Sequence, residues 1–381
     1  MSSDDDIDDN EDFYTPGPDI LFNIRSNIKN YSFEKANKRL KLQYDLQKNF
    51  NNLNNLKFRR SIYNKLSNLS LQGSQIISNR FTSSISYSNN LNSLAVSSWN
   101  GNVYLLNPFD LSILKTFNNL NNEKILSSTW NNINNSLFTG GSDGKINIIL
   151  NPFNEEIDQV SNIISINAHN NSRINDIKFH PTYNYFTSAS SDFTWKLWDI
   201  ETNKELFTQE GHSDIINSLS YHPDGSLLAS AGNDSILKLW DLRSGNLILN
   251  LNENQNDHTN SIHSLDWRLN GYHLASGGSD NQLIIWDIRM MKKLSNVLSH
   301  NKLITNIKFT NSNNETLLST GYDGNLSLTS CDNWITFKKL NTLDKIMSLE
   351  IIENDDNNNN NNTDLTIFTG GWDRSVKLFK I

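Results

Sequence analysis

Two stretches of this chain can be laid over one another almost residue for residue: GHSDIINSLSYHPDGSLLASAGNDSILKLWDLRSG (211–245) and HTNSIHSLDWRLNGYHLASGGSDNQLIIWDIRMM (258–291). Each runs from a His through an alternating strand, an Asp-Gly or Asn-Gly turn, a small-residue strand, an Asp turn and a second alternating strand that ends in Trp-Asp. Residues 169–199 repeat the pattern. Anchoring on the turn residue gives Asn100, Asp143, Asp192, Asp234, Asp280, Asp323 and Asp373, at intervals of 43, 49, 42, 46, 43 and 50. A period of this size, seven times over, predicts seven four-stranded blades closed into a ring. One such blade cannot bury both of its faces. Stacking against neighbours buries them, and closing the ring removes the exposed ends.

The expected fold class is therefore all-β, a seven-bladed WD-repeat β-propeller, preceded by a short helical basic arm. Four repeats lack the terminal Trp, their strand surviving as Tyr104–Leu106, Ile146–Leu150, Leu326–Leu328 and Val376–Phe379. The last repeat stops after its third strand, and Leu71–Ile77 is available to supply the fourth. The propeller is read as 71–381, fastened by its own N-terminal strand. Residues 13–70 read as the helical arm. Ser32 caps a helix with Glu34 in its first turn, and Phe33, Ala36, Leu40 and Tyr44 follow at spacings of three and four, one face of a helix. Leu56, Ile62, Leu66 and Leu69 mark a second helix. Residues 1–12 are too acidic and apolar-poor to fold, and Asn357–Asn362 is a surface loop in the last blade.

The net charge of −8 conceals a division. Residues 1–24 sum to −8, residues 25–70 to +9 and the rest to −9. A basic nucleic-acid sleeve is excluded for the propeller but not for the arm, where Lys38, Arg39, Lys57, Arg59 and Arg60 are candidates for contact with RNA or an acidic partner. The single cysteine, Cys331, permits no intrachain disulfide, which suits a reducing compartment. The acidic start is not a secretory signal, and no apolar run is long enough to cross a membrane.

His212, Ser230 and Asp234 have the composition of a hydrolase triad. The same types recur at His169, Ser188, Asp192 and at His258, Ser276, Asp280, each set followed by a Trp six residues after the Asp: Trp198, Trp240 and Trp286. A nucleophile is needed once per site, not once per blade. The expected role is a buried hydrogen-bond chain within each blade. No catalytic residue, metal site, cofactor or small-molecule substrate is expected, because no Cys or His pair has zinc spacing and no Gly-rich loop leads from strand to helix. Trp99, Tyr322 and Trp372 stand just before the turn residue in blades that become neighbours on closure. With Arg374 and Lys302 close by, they are candidates for a partner-binding patch.

Beyond generic repeats, NYSFEKANKRLKLQ (30–43), GSQIISNRFTSSISYS (73–88), SSWNGNVYLL (97–106), FTSASSDFTWKLWDIETNKELFTQEGHS (186–213), LNGYHLASGGSDN (269–281) and WDIRMMKKL (286–294) follow one another in order. Together they resemble the WD-repeat proteins of the U4/U6 small nuclear ribonucleoprotein, pre-mRNA splicing factors of the tri-snRNP. The resemblance covers about 13–381. It implies a nuclear, non-catalytic scaffold, partnered by the other U4/U6-specific protein, with U4/U6 snRNA and a cyclophilin-type subunit as further candidate partners. Members of the family carry an upstream domain with a short splicing-factor motif, which this chain starts too late to contain. The competing reading is a substrate receptor of a cullin-type ubiquitin ligase, suggested by Trp240-Asp241-Leu242-Arg243 and Trp286-Asp287-Ile288-Arg289.

Overall fold

A computed structural model describes residues 19–48, 52–121, 123–153, 162–251, 257–310, 316–355 and 363–381. The acidic start 1–12 and the Asn run 357–362 lie outside the described residues. Seven four-stranded antiparallel sheets form the ring. Six are simple meanders, at 82–117, 125–167, 174–209, 216–251, 262–297 and 304–341. The seventh takes three strands from 346–380 and its outer strand, Ser70–Ile76, from the other end of the chain. That strand pairs with Ser375–Lys380 from Ser70 opposite Lys380 to Ile76 opposite Ser375, with one irregularity between Leu71 and Gly73.

The second strand of nearly every blade is buried throughout, as in Leu94–Ser98, Tyr185–Ser190 and Leu317–Gly321. Side chains of the inner strands stitch each blade to the next. Ser127, Asp176, Ser218 and Ser264 accept bonds from the backbone N–H of Ile177, Leu219, Leu265 and Ile307 at 3.1, 3.0, 3.2 and 2.9 Å. One residue earlier, Asn175 and Asn217 donate to the carbonyls of Ile216 and Ile262 at 2.7 and 2.8 Å. Polar residues on strands lining a central channel are thus used to satisfy backbone groups that ring closure would otherwise bury unpaired.

Two helices precede the ring, α1 (Asp19–Lys48) and α2 (Asn52–Ser67). Because the blades are meanders, the turns joining strands one to two and three to four share one face of the ring; the remaining connections share the other. Both helices lie across the first of these faces. Leu21, Ile24 and Ile28 of α1 join a cluster with Trp195, Phe207, Trp240 and Leu242 of the third and fourth blades. Farther along, Arg39 grips Asp224 of the fourth blade at 2.6 Å and donates to the carbonyl of Asn270 of the fifth at 2.7 Å. Ile62 and Leu66 of α2, with Leu69 just beyond it, pack on Leu326, Leu328 and Phe379 of the last two blades. The arm therefore tracks round the ring before entering it as a strand.

The expected start of the first helix at Ser32 is corrected: α1 runs straight through it. Ser32 is buried, and its hydroxyl donates to the Lys29 carbonyl one turn back at 2.8 Å. A Ser that bonds locally to a preceding carbonyl is compatible with a helix interior. The apolar face read from the sequence is not the one that packs on the ring. Phe33, Leu40 and Tyr44 are 49%, 54% and 66% exposed, while the face a third of a turn away packs on the ring.

Candidate functional site

The turns between the second and third strands carry the repeated polar sets. In the third blade His169 bonds Asp192 at 2.7 Å and Ser188 at 2.8 Å, and Trp198 Nε1 donates to the same hydroxyl at 2.9 Å. In the fourth, His212 bonds Asp234 at 2.6 Å and Ser230 at 2.7 Å, with Trp240 donating at 2.8 Å. In the fifth, His258 reaches Asp280 at 2.9 Å and Ser276 at 2.7 Å, with Trp286 at 2.8 Å. Ser188, Ser230 and Ser276 are fully buried, and each hydroxyl already holds an indole N–H. These are tethers within a blade, not nucleophiles with access to substrate.

A fourth set, His300 with Asp323 at 3.0 Å and Ser319 at 2.9 Å, has no Trp to complete it, since Thr329 holds the position across the ladder from Leu317. In the second blade Asn121 replaces the His and bonds Asp143 at 3.0 Å. In the seventh Lys377 pairs with Asp373 at 2.6 Å. The offset of 22–23 residues before the turn Asp marks His300 and could have found Asn121; Lys377, four residues after its Asp, lies outside it. For Asp192, burial raises the carboxyl, but bonds from His169 and Thr194 outweigh it and hold the group at about 2.

The rim of this face has its own order. In all seven blades the residue before the turn anchor donates its N–H to the carbonyl of the residue leading into the inner strand: Trp99 to Phe81, Ser142 to Lys124, Ser191 to Arg173, Asn233 to Ile215, Ser279 to Ser261, Tyr322 to Leu303 and Trp372 to Lys345. This backbone bond sets two side chains from each blade on the mouth of the ring. Trp99 and Trp372, 273 positions apart, are joined through Phe81. That ring stacks on Trp372 at 4.7 Å and meets Trp99 edge-on at 5.5 Å. Tyr322 packs on Trp372 at 5.9 Å. All four rings are half-buried. Lys124 sits over Trp99 at 4.4 Å and Lys345 over Trp372 at 3.9 Å. Phe81, Lys124 and Lys345 were missed from the sequence because only the turn residues had been compared. Among the described residues these two lysines, rather than Arg374 or Lys302, are the cations seated on the rings.

The channel holds a cluster that the repeat pattern did not suggest: Asp176, Lys178, Asp266, Lys308 and Glu350, from alternating inner-strand positions. Its members are mostly paired. Lys308 bonds Glu350 at 2.6 Å, and Asp266 accepts the Phe309 N–H at 2.6 Å. Burial pushes Asp266 up to about 6, against the pull of that N–H and of Lys308 and Lys178. A carboxyl raised in the folded state weakens folding as pH climbs from about 4 to about 6. Asp266→Asn keeps the acceptor for Phe309 and removes the titration. Its melting temperature relative to the parent should therefore rise between pH 4 and pH 7. A difference that stays constant across that range would show that Asp266 ionises without cost.

On the opposite face, the arm's candidate contacts divide. Arg39 and Arg59 are corrected as free contacts. Arg39 is spent on Asp224 and Asn270, and Arg59 pairs with Asp332, which also accepts from Tyr63 at 2.9 Å. Gly271, at φ +77°, lets the guanidinium in, since a Cβ there would lie 2.7 Å from Arg39 Cζ. Lys38, Lys57 and Arg60 remain exposed. In the two Trp-Asp-x-Arg tetrads the Arg folds back on its own Asp, Arg243 on Asp241 at 2.9 Å and Arg289 on Asp287 at 2.8 Å. The first tetrad lies against α1, with Leu242 in the cluster of Leu21 and the Arg243 guanidinium 5.9 Å from the Phe33 ring.

A model of the WD domain, G-beta repeat, matches residues 161–199, 203–241 and 250–287. The chain is 41% identical over 377 residues to the U4/U6 small nuclear ribonucleoprotein PRP4 of Saccharomyces cerevisiae, a match that spans 98% of this chain and 78% of the yeast protein. Among the described residues no helix is long and apolar enough to cross a membrane.

Proposed function

Since the chain belongs to the PRP4 family of U4/U6 small nuclear ribonucleoproteins, we propose that it is a structural subunit of the U4/U6 particle and of the tri-snRNP, nuclear and without catalytic activity. The observation that carries this is the extent of the match. It spans 98% of the chain, and so includes the helical arm that repeat chemistry alone does not require. The work of such a subunit is to hold other components in a fixed relation, the other U4/U6-specific protein first among them. U4/U6 snRNA and a cyclophilin-type subunit are the further candidates. A role as a ubiquitin-ligase receptor is less well supported, because one tetrad lies beneath α1 and both arginines are turned onto their own aspartates. Affinity purification of the full chain from nuclear extract tests the assignment. U4 and U6 RNA should be enriched together; enrichment of a cullin adaptor without them would reverse it.

Within this function the aromatic sector of the mouth is the proposed site for a partner protein. It has the composition of an interaction hot spot, with large rings, lysines on their faces and partial exposure. A Trp99→Ala, Tyr322→Ala, Trp372→Ala variant should lose a protein partner from the purified particle while still melting cooperatively. Lys124→Glu with Lys345→Glu, which changes charge and little packing, should lose the same partner. A folded chain that keeps every partner in both variants would remove the site.

A further inference from the structure

Helix α1 has two apolar faces, and the ring uses one. At about 100° per residue, Leu21, Ile28, Arg39 and Gln43 fall on the side turned to the blades. Phe22, Phe33, Leu40 and Tyr44 fall within about 40° of one another on a second stripe, roughly 135° away from Ile28. Phe22 is 77% exposed and the other three 49–66%. From Phe22 to Tyr44 the stripe is about 33 Å long. Large exposed side chains repeated along one line of a helix are uncommon on a surface that meets only water.

The charges beside the stripe say what kind of molecule would cover it. Lys29, Lys41 and Lys48 are exposed within about 90° of it, nearer than Glu34 and Asp45, while Lys35 and Lys38 stand on the far side of the helix. A second copy of α1 would bring like charges together. A nucleic acid would find lysines, but Leu40 offers no ring for stacking and the spacing is that of a helix groove. We propose that this stripe is the docking surface for an acidic amphipathic helix of a partner protein, laid alongside α1 with its apolar residues on Phe33, Leu40 and Tyr44 and its carboxylates among the lysines. The packed face makes the platform rigid. Tyr31 donates to the Pro181 carbonyl at 3.1 Å, and Arg39 and Gln43 both bond Asn270. The partner would therefore meet a helix that is already ordered, which lowers the entropic cost of binding. This site stands on geometry separate from the mouth of the ring.

A benzophenone analogue of phenylalanine installed at position 33 or 44 of the full chain in cells, followed by irradiation and peptide sequencing, tests it. Cross-linked peptides should come from one protein segment that is net negative and apolar at every third or fourth residue. Cross-links to RNA, to a second copy of this chain, or to nothing would overturn the proposal. Leu40→Ser with Tyr44→Ser should leave the melting temperature unchanged and cut cross-linking from position 33 by about tenfold or more. A variant that melts well below the parent would show the stripe to be structural and would overturn it equally. U4 and U6 RNA co-purifying with a chain that gives no such cross-link would leave the particle assignment standing and remove this surface alone.

Discussion

Asp234→Ala should lower the unfolding free energy by about 1–3 kcal/mol, more than the same change at Asp192. The difference follows from burial. The Asp234 side chain is 2% exposed and that of Asp192 is 27% exposed. Removing the carboxylate from the fourth blade leaves His212 Nδ1 without its acceptor in a place water does not reach, and His212 in turn orients the Ser230 hydroxyl that holds Trp240. At the edge of the third blade, water can replace part of what is lost. The dependence on pH has a definite sign. Burial raises Asp234, but bonds from His212 and from backbone N–H groups outweigh it and leave the group below the ordinary range. A depressed carboxyl contributes stability above its unfolded value near 4, and the contribution disappears as pH falls toward the folded value. The parent should thus lose its advantage over the variant under acid. Denaturant unfolding of both variants at neutral and acid pH checks the ranking. Equal losses at Asp192 and Asp234 would mean that burial of the carboxylate does not set the cost of removing it.

A chain beginning at residue 82 should aggregate. It lacks Ser70–Ile76 and leaves Ser375–Lys380 as an open edge, a ready template for another strand. The loss reaches the core as well, because Ile77 packs with Val376 and Leu378, and Leu66 and Leu69 pack with Phe379. A synthetic peptide of residues 68–79 should rescue solubility by adding itself to the edge, as donated strands do. A truncated chain that stays monomeric and melts like the parent without the peptide would mean that the seventh blade does not need its outer strand.

The ring was legible because each blade repeats the same solution to the same burial problem. Seven turn anchors and three His–Ser–Asp–Trp sets are local patterns, read within about forty residues. What the sequence hid is of two kinds. Periodicity reports that a helix has an apolar stripe but not which stripe is packed. In α1 the pattern Phe33, Leu40, Tyr44 follows the expected cap at Ser32, yet Leu21, Ile24 and Ile28, spaced three and four ahead of that cap, are the ones buried. Partners distant in sequence were the other omission. Arg39 looks like one more cation in a basic run, and only the fold brings it to Asp224, 185 positions later. Of the rim residues, Phe81 belongs to the same kind, since the Trp372 ring it stacks on comes 291 positions later, whereas Lys124 and Lys345 lie within 27 positions of the rings they cover.

The ladder that closes the ring joins Ser70 to Lys380, 310 positions along the chain. On a ribosome this strand is made before any blade, and its partner only after six blades have been made. Until then the arm and the growing row of blades wait with an open edge. Contacts between such distant residues are slow to form, so closing the ring is a late step. A chain cut short before Ser375 would keep the arm and six blades and have no latch. The seventh blade thus acts as an inspection step: only a chain translated through Lys380 can shut, and only a shut ring holds both helices of the arm where a neighbour would find them.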